Sequence, residues 1–205
     1  IKDVIQQYHP EAIRLFLLSK QYRKPIDFSQ DSMEASRTAL DRIYALLLRI
    51  DERLAGEKEP VATPEDMPFW KKFCQAMDDD FNTARAIGLM FETVRRLNRV
   101  MDDMAEGGSS KTFARLQSCR ADLMRVGGVL GIGGELPLHF FEQKKAKALE
   151  SEAIDEALVE SLIAERLQAR QQKDWERADR IRSELSAMNI VLEDRAEGTT
   201  WKVKS

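Results

Sequence analysis

The segment from Met77 to Asn98 constrains the fold more than any other part of the chain. From Phe81 onward its apolar residues recur at steps of three and four positions, the period of a helix with one buried face. Asp78–Asp80 stand directly before this run and predict the helix start, because carboxylates accept hydrogen bonds from free backbone N–H groups there. The alternative, a metal or phosphoryl site, needs carboxylates from a second element, and the sequence supplies none. The apolar stripe comprises Ala84, Ile87, Met90, Phe91, Val94 and Leu97.

Residues 1–132 contain further helical patterns. Pro10 suits the first position of a helix that follows His9. A long amphipathic helix is expected from Ser29 to Leu54, with Asp31 and Glu34 in a capping arrangement at its start. These patterns predict a mainly α protein built on an antiparallel helical bundle. The expected divisions are an N-terminal segment at 1–28, the bundle at 29–132, a connector at 133–154 and a C-terminal module at 155–205.

The last 51 residues predict a small α+β module made of two helices plus a β-hairpin. Two helical stretches, 155–173 and 176–188, meet at a corner formed by Asp174 and Trp175, which is typical of an αα-hairpin. Asn189 permits a left-handed helix end. Two short apolar stretches, 190–192 and 199–203, then predict the strands of the hairpin.

Composition narrows the functional class. The chain has 205 residues and a formal net charge of −3, which excludes a strongly basic binder driven by phosphate attraction alone. Cys74 and Cys119 have no second ligand at zinc spacing, and His9 and His139 are isolated from nucleophiles, so we expect no metal site and no catalytic residues. Neither a membrane helix nor a signal peptide is expected. Because Ile1 falls inside an amphipathic pattern, we expect the sequence to be part of a longer protein.

The C-terminal module carries side chains suited to unpaired bases. Guanidinium groups and tryptophan faces stack on bases, and carboxylates such as those of Asp179 and Asp194 accept hydrogen bonds from base amino groups. Acidic residues nearly balance the cations, so a solvated face of paired charges is the alternative. Trp175 could instead join the two helices, Trp201 could belong to the core, and Asp194 could pair with Arg195. The cations are Arg166, Arg170, Lys173, Arg177, Arg180 and Arg182.

A second candidate contact is the segment Tyr22–Arg23–Lys24. It follows an apolar helix and precedes Pro25, which favours an extended backbone in the residue before it. Two cations beside an aromatic ring are compatible with contacts to backbone phosphates. The alternative is a surface loop whose Tyr22 and Phe28 pack inward.

Three stretches resemble the C-terminal portion of the cysteinyl-tRNA synthetases, a class I family. They are YHPEAIRLFLLSKQYRKPIDFS, AMDDDFNTARAI followed by RRLNR, and LIAERLQARQQKDWERADRIRSELSAMNIVLEDRAEGTTWKVK. The resemblance runs in order over nearly the whole chain and is weakest from Gly133 to Ile154. It implies a remnant of the stem-contact fold, a DALR-type helical bundle and an anticodon-binding module. Ala84 departs from the family, which often has proline there, without affecting the expected fold.

The resemblance implies that the chain binds cysteine tRNA. The GCA anticodon would be read by Arg170, Trp175, Asp179 and Asp194, with Thr200 and Trp201 framing the hairpin. Tyr22, Arg23 and Lys24 would contact the tRNA backbone. The implied partner is tRNA, with no DNA and no membrane, and the implied protein is monomeric and cytoplasmic.

The family's catalytic signatures are not found in this sequence. HIGH, KMSKS and the zinc ligands are absent, so ATP and zinc are expected in an N-terminal part of the parent cysteine–tRNA ligase. We therefore expect no cofactor in this chain and no ligase activity from it alone. The alternative function is a helical protein-interaction module without RNA binding, and an enzyme complete in itself is the weakest of the three hypotheses.

Overall fold

The computed structural model describes residues 2–55, 68–104, 109–152, 154–195 and 198–203. These residues form helices joined by short turns and one antiparallel hairpin at the C-terminal end, which confirms the predicted fold class. The helices are α1 Lys2–Gln7, α2 Pro10–Leu18, α3 Gln30–Leu54, α4 Pro68–Asp78, α5 Thr83–Asp103, α6 Ser110–Leu130, α7 Pro137–Glu152, α8 Glu156–Gln171 and α9 Trp175–Ala187. The strands are β1 Ile190–Arg195 and β2 Gly198–Val203.

The chain divides into two compact units, Ile1–Leu138 and His139–Ser205. The segment 133–154, which the sequence analysis treats as a connector, contains helix α7, and the division falls after the second residue of that helix. The domain boundaries assigned from the sequence therefore stay a prediction.

The first unit has a core formed mainly by α3 and α5, with α2, α4 and α6 packed around them. Four residues of the predicted α5 stripe are buried, namely Ile87, Met90, Val94 and Leu97. Ala86 and Thr93 join them, whereas Ala84 and Phe91 are only half-buried. Each fully buried large apolar side chain stabilises the fold by about 1.5–3 kcal/mol, so this stripe makes a large contribution to the bundle.

Two helix starts differ from the sequence-based expectation. Asp78 ends α4, and the side chain of Asn82 caps α5 by accepting a hydrogen bond from the Arg85 N–H at 3.0 Å. The predicted start at Asp78–Asp80 was wrong because the preceding helix runs through the first aspartate. The turn then requires positive φ angles at Asp80 and Phe81, 53° and 50°.

The start of α3 is also capped differently. Ser29 and Ser32 form a reciprocal capping box, in which each side chain accepts a hydrogen bond from the other's backbone N–H at 3.2 Å. Asp31 and Glu34 are not the capping pair, since the serine hydroxyls already satisfy these N–H groups. Glu34 instead forms an ion pair with Arg37 at 2.7 Å.

A buried carboxylate joins α2 to α3 and to the loop after α6. Glu11 is 8% exposed, and it accepts hydrogen bonds from the Tyr44 hydroxyl at 2.8 Å and from Gly133 N–H at 2.8 Å. Gly134 N–H donates to the same carboxylate at 3.1 Å, and Glu135 N–H donates to the Tyr44 oxygen at 3.2 Å. Burial raises the pKa of Tyr44, so the hydroxyl keeps its proton and remains a donor.

A second buried carboxylate caps α4 from a different helix. Asp122 on α6 is 3% exposed and accepts hydrogen bonds from the N–H groups of Phe69 at 3.0 Å and Trp70 at 2.9 Å. Burial raises the pKa of Asp122, although these two bonds oppose the shift. The guanidinium of Arg125 lies 3.9 Å from the centre of the Trp70 ring, which adds a cation–π contact beside the cap.

The second unit is built as the sequence predicts, with α8 and α9 forming an αα-hairpin followed by the β-hairpin. Its core contains Val159, Leu162, Ile163, Ile181, Leu185 and Ile190. Asn189 has a φ of 60°, which confirms the predicted left-handed residue between α9 and β1. The hairpin register pairs Ile190 with Val203 and Leu192 with Trp201.

We predict that Asp122→Ala lowers the free energy of unfolding by roughly 2–3 kcal/mol at neutral pH, since it leaves two buried N–H groups without an acceptor. Urea unfolding followed by circular dichroism measures this change. Asp103→Ala, which removes an exposed carboxylate of α5, is the control and should change stability by less than about 0.5 kcal/mol. Similar losses in both variants would show that Asp122 is not a buried cap.

Candidate nucleic-acid interface

The turn between α8 and α9, residues 172–174, places aromatic and charged side chains on the surface. Lys173 adopts a φ of 62°, and the Asp174 carboxylate accepts a hydrogen bond from Arg177 N–H at 3.1 Å. Asp174 is therefore the N-cap, and Trp175 becomes the first residue of α9. The Trp175 side chain is 59% exposed. This exposure argues against the alternative in which Trp175 joins the two helices.

Three of the predicted anticodon-binding residues border this turn. Arg170 lies in the last turn of α8 and is exposed. Asp179 lies four residues after Trp175, and residues at this spacing share one face of a helix. The turn therefore carries an aromatic face, a carboxylate acceptor and a guanidinium donor. These are the groups that stack on unpaired bases and bond to their edges. We call Arg170, Trp175 and Asp179 the α8–α9 corner.

Two other cations of the module have structural roles. Arg166 is buried, with 7% exposure, and Arg177 forms an ion pair with Glu165 at 2.7 Å across the helix pair. A second bond joins the Arg177 Nε to the same carboxylate at 3.1 Å. Ion pairs of this kind hold the helices together and reduce the positive charge available to a ligand.

Trp201 is only partly exposed and packs against the core of the second unit. Its indole N–H donates to Glu160 at 2.6 Å, and the Lys145 ammonium lies 3.9 Å from the centre of the ring. Lys145 also pairs with Glu156 at 2.7 Å, so this contact joins α7, α8 and the hairpin. Glu160 and Arg170 are separated by about 15 Å along the axis of α8, at 1.5 Å per residue. The geometry therefore favours the core alternative for Trp201 and separates it from the α8–α9 corner.

The remaining hairpin residues are described to different extents. Thr200 is exposed and lies next to Trp201 in β2, so their side chains point to opposite faces of the hairpin. Asp194 pairs with Thr199 through the backbone ladder, and its side chain lies outside the described part of the structure. The roles of Thr200 and Asp194 in binding stay predictions.

The segment Tyr22–Arg23–Lys24 is held by Asp80 of the α4–α5 turn. One oxygen of the Asp80 carboxylate accepts from the Tyr22 hydroxyl at 3.0 Å and from the Arg23 Nη2 at 2.9 Å. Arg23 Nε also donates to the Tyr22 hydroxyl at 2.9 Å, and this bond, followed by the charge of Asp80, raises the Arg23 pKa. Tyr22 is 57% exposed and does not pack inward. A phosphate would have to compete with Asp80 for the Arg23 guanidinium. Lys24 is exposed and takes no part in these bonds.

Two carboxylates of the aspartate run, those of Asp79 and Asp80, contact different partners. Asp79 lies 3.7 Å from Arg85 and Asp80 bonds to Tyr22 and Arg23, so the carboxylates do not converge. In the described ranges, no group of three or more His, Cys, Asp or Glu side chains could hold a metal ion. Among the helices of those ranges, none has the length and apolar character needed to cross a membrane.

Comparison with known proteins identifies the class of the chain. The family model of the DALR domain matches residues 72–133, and that of the cysteinyl-tRNA ligase anticodon binding domain matches residues 156–201. The first match covers the end of the helical bundle and the second covers the α8–α9 corner and the hairpin. These two matches identify the chain as similar to the helical and anticodon-binding parts of an aminoacyl-tRNA synthetase.

Full-length relatives identify the family. The cysteine–tRNA ligases of Geobacter metallireducens and Geobacter sulfurreducens are each 43% identical to this chain, over 211 and 212 residues. The cysteine–tRNA ligase of Geobacter sp. strain M21 is 40% identical over 211 residues. Each alignment covers 100% of this chain but only 42–43% of the relative's length. The chain belongs to the cysteinyl-tRNA synthetase family and corresponds to a C-terminal portion of its members.

We predict that replacing Trp201 lowers the stability of the second unit and that replacing Trp175 leaves it nearly unchanged. Trp201→Ala should destabilise this unit by about 2 kcal/mol, because it removes core packing, the bond to Glu160 and the Lys145 contact. Trp175→Ala should change stability by less than about 0.5 kcal/mol, because its side chain is mostly in solvent. Native-state hydrogen exchange of α8, α9 and hairpin amides in the full chain measures both. A larger loss for Trp175 than for Trp201 would contradict the assignment.

Proposed function

We propose that this chain is the tRNA-binding portion of a cysteine–tRNA ligase and that its α8–α9 corner reads the anticodon of cysteine tRNA. The observation that carries the proposal is the geometry of the corner, where Trp175 is 59% exposed, Asp179 follows one helical turn later and Arg170 lies in the last turn of the adjoining helix. All three residues lie inside the region matched by the family's anticodon-binding domain, 156–201.

Each side chain of the corner has a chemically distinct task. The Trp175 ring offers a face on which an unstacked base is held by stacking, whatever its sequence. Asp179 accepts hydrogen bonds, so it favours bases that present an amino group, which the guanine, cytosine and adenine of the GCA anticodon all have. Arg170 donates to base oxygen and nitrogen acceptors. Thr200 and Asp194 are proposed to extend this contact along the hairpin.

Contacts to phosphates are proposed to add affinity without specificity. Lys24 is exposed, and Tyr22 and Arg23 stand beside it in an ordered arrangement with Asp80. A phosphate near this cluster would attract Lys24 and Arg23 and would compete with Asp80 for the guanidinium.

The ligase reaction is proposed to reside in the part of the parent protein that lies outside this chain. The chain spans about 43% of the length of the relatives that it matches. ATP and zinc are assigned to that other part, and no described group of side chains here suits a metal ion. We further propose a cytoplasmic, monomeric protein, in keeping with the family.

A protein-interaction module is the second candidate, because the first unit exposes two large apolar side chains near the end of α6. Val129 is 58% exposed and Leu136 is 75% exposed. The two functions differ in their dependence on salt. Phosphate contacts lose affinity steeply as salt is added, whereas an apolar docking surface is little affected. Absence of salt-sensitive binding of cysteine tRNA at low salt would favour the second candidate.

We predict that Asp179→Ala weakens binding of cysteine tRNA by roughly tenfold and weakens binding of a tRNA altered only in its anticodon much less, because it removes an acceptor for a base edge. Filter-binding titrations at low salt with both transcripts measure the difference. Glu184→Ala, which removes an exposed carboxylate further along α9, is the control. Equal losses on both transcripts would argue against base readout by Asp179.

We predict that Trp175→Ala weakens tRNA binding by about 1–3 kcal/mol, and that Trp175→Phe retains most of the affinity because a ring remains for stacking. The same titrations measure both effects, and quenching of Trp175 fluorescence by tRNA in a Trp70→Phe, Trp201→Phe background that retains Trp175 reports stacking directly. If Trp175→Ala binds tRNA as tightly as the unaltered chain, Trp175 is not a stacking platform.

A further inference from the structure

A cationic groove lies between α4 and α5, on the helical bundle. It has a volume of about 390 Å³ and is lined by four basic side chains, Lys72, Arg95, Arg96 and Arg99. All four are exposed, and the groove also borders Phe69, which is 3% exposed and belongs to the core. The groove therefore combines a buried aromatic residue with exposed charged walls. The three arginines lie on α5 outside its apolar stripe.

The protein offsets the charge of this groove only in part, through the effect of Arg96 on the buried Asp122 carboxylate, where it opposes the rise in the pKa of that group. Glu92 is its one acidic lining residue, and within the described residues none of the four cations forms an ion pair. Other arginines of the same bundle are paired, since Arg49 bonds to Asp102 at 2.8 Å and Arg120 bonds to Asp51 at 2.5 Å. In a chain with a net charge of −3, four neighbouring unpaired cations form a local positive field that attracts an anion.

The spacing of the arginines suits a linear polyanion. Arg95 and Arg99 lie one turn apart on α5, about 6 Å along the helix axis, a step comparable with the distance between successive phosphates of a strand. Guanidinium groups bind phosphate oxygens in a bidentate manner. Lys72 faces them from α4, so positive charge borders both sides of the groove. The Thr93 hydroxyl donates to the Leu89 carbonyl instead of to a ligand, so the groove offers charge and little base-specific hydrogen bonding.

We propose that this groove binds the phosphodiester backbone of tRNA and anchors it to the bundle independently of the anticodon sequence. The proposal rests on the proposed function for the identity of its ligand, because the anticodon-binding family match makes tRNA the polyanion that fits. The four cations of the groove lie within the DALR match, 72–133, on helices separate from the α8–α9 corner. It is a site for phosphate, whereas the corner is a site for bases.

The test compares charge-neutralising variants of the full chain. Arg95→Gln combined with Arg99→Gln should lower the slope of log affinity against log salt by about 2 and weaken binding equally for cysteine tRNA and for the anticodon-altered tRNA, because one phosphate contact is lost per arginine. Arg99→Gln alone should lower the slope by about 1. Glutamine has nearly the helix propensity of arginine, so the fold is retained, which circular dichroism checks.

The matched control is Arg42→Gln, which removes one exposed cation of α3 outside the groove. Its slope should remain that of the unaltered chain. If Arg99→Gln and the double variant also keep the unaltered slope and affinity, the groove does not bind tRNA, and an acidic protein segment becomes the candidate ligand.

The outcomes separate this inference from the proposed function. If the unaltered chain binds both transcripts equally well and the groove variants have a lowered slope, base reading by the corner is overturned. Phosphate binding by the groove is then supported. If the unaltered chain prefers cysteine tRNA and the groove variants keep the unaltered slope, only the proposal of phosphate binding by the groove is overturned. If the unaltered chain binds neither transcript at low salt, both proposals are wrong.

Discussion

Every helix of this protein must satisfy backbone N–H groups at its start, and the groups that do so determine where the helices begin. Most caps come from the residue just before the helix, as with Ser29, Asn82, Asp155 and Asp174. The start of α4 is different, because Asp122 supplies the acceptor from α6. The caps therefore determine the positions of the turns, as the buried apolar side chains determine the packing of the helices. Since Asp174 is a cap, Trp175 falls at the first helical position, where little of the protein covers it.

The distribution of cations is compatible with the proposed binding of a polyanion by an acidic chain. Arg166, Arg177 and Arg120 are buried or paired with carboxylates, so they contribute to stability and not to the surface potential. Lys72, Arg95, Arg96 and Arg99 form no ion pair within the described residues, whereas Arg85 of the same helix lies 3.7 Å from Asp79. A net charge of −3 repels RNA weakly over long distances, whereas local clusters act within a Debye length of about 8 Å at physiological salt. Affinity therefore has to come from contacts at particular surfaces.

The sequence predicted most features that depend on neighbouring residues. The apolar stripe of α5, the αα-hairpin and the left-handed Asn189 all follow from local periodicity and backbone preference. It predicted less well where the deciding partner is distant. Trp201 bonds to Glu160, 41 residues away, and the Asp122 cap acts over more than 50 residues. The start of α5 was misassigned because three aspartates and one asparagine are all good caps, and only the end of α4 decides between them.

The two proposed surfaces differ in what a mutation can do to them. A base-reading site works by few, directional contacts, so one wrong side chain removes discrimination while most of the affinity remains. A phosphate groove works by summed charge, so a single substitution lowers the affinity slightly and to the same extent for every tRNA. Added salt lowers the affinity in the same way. When both surfaces engage one tRNA, the second contact is intramolecular and benefits from a high effective concentration. Modest affinity at each surface is then sufficient, and it leaves the anticodon as the feature that separates one tRNA from another.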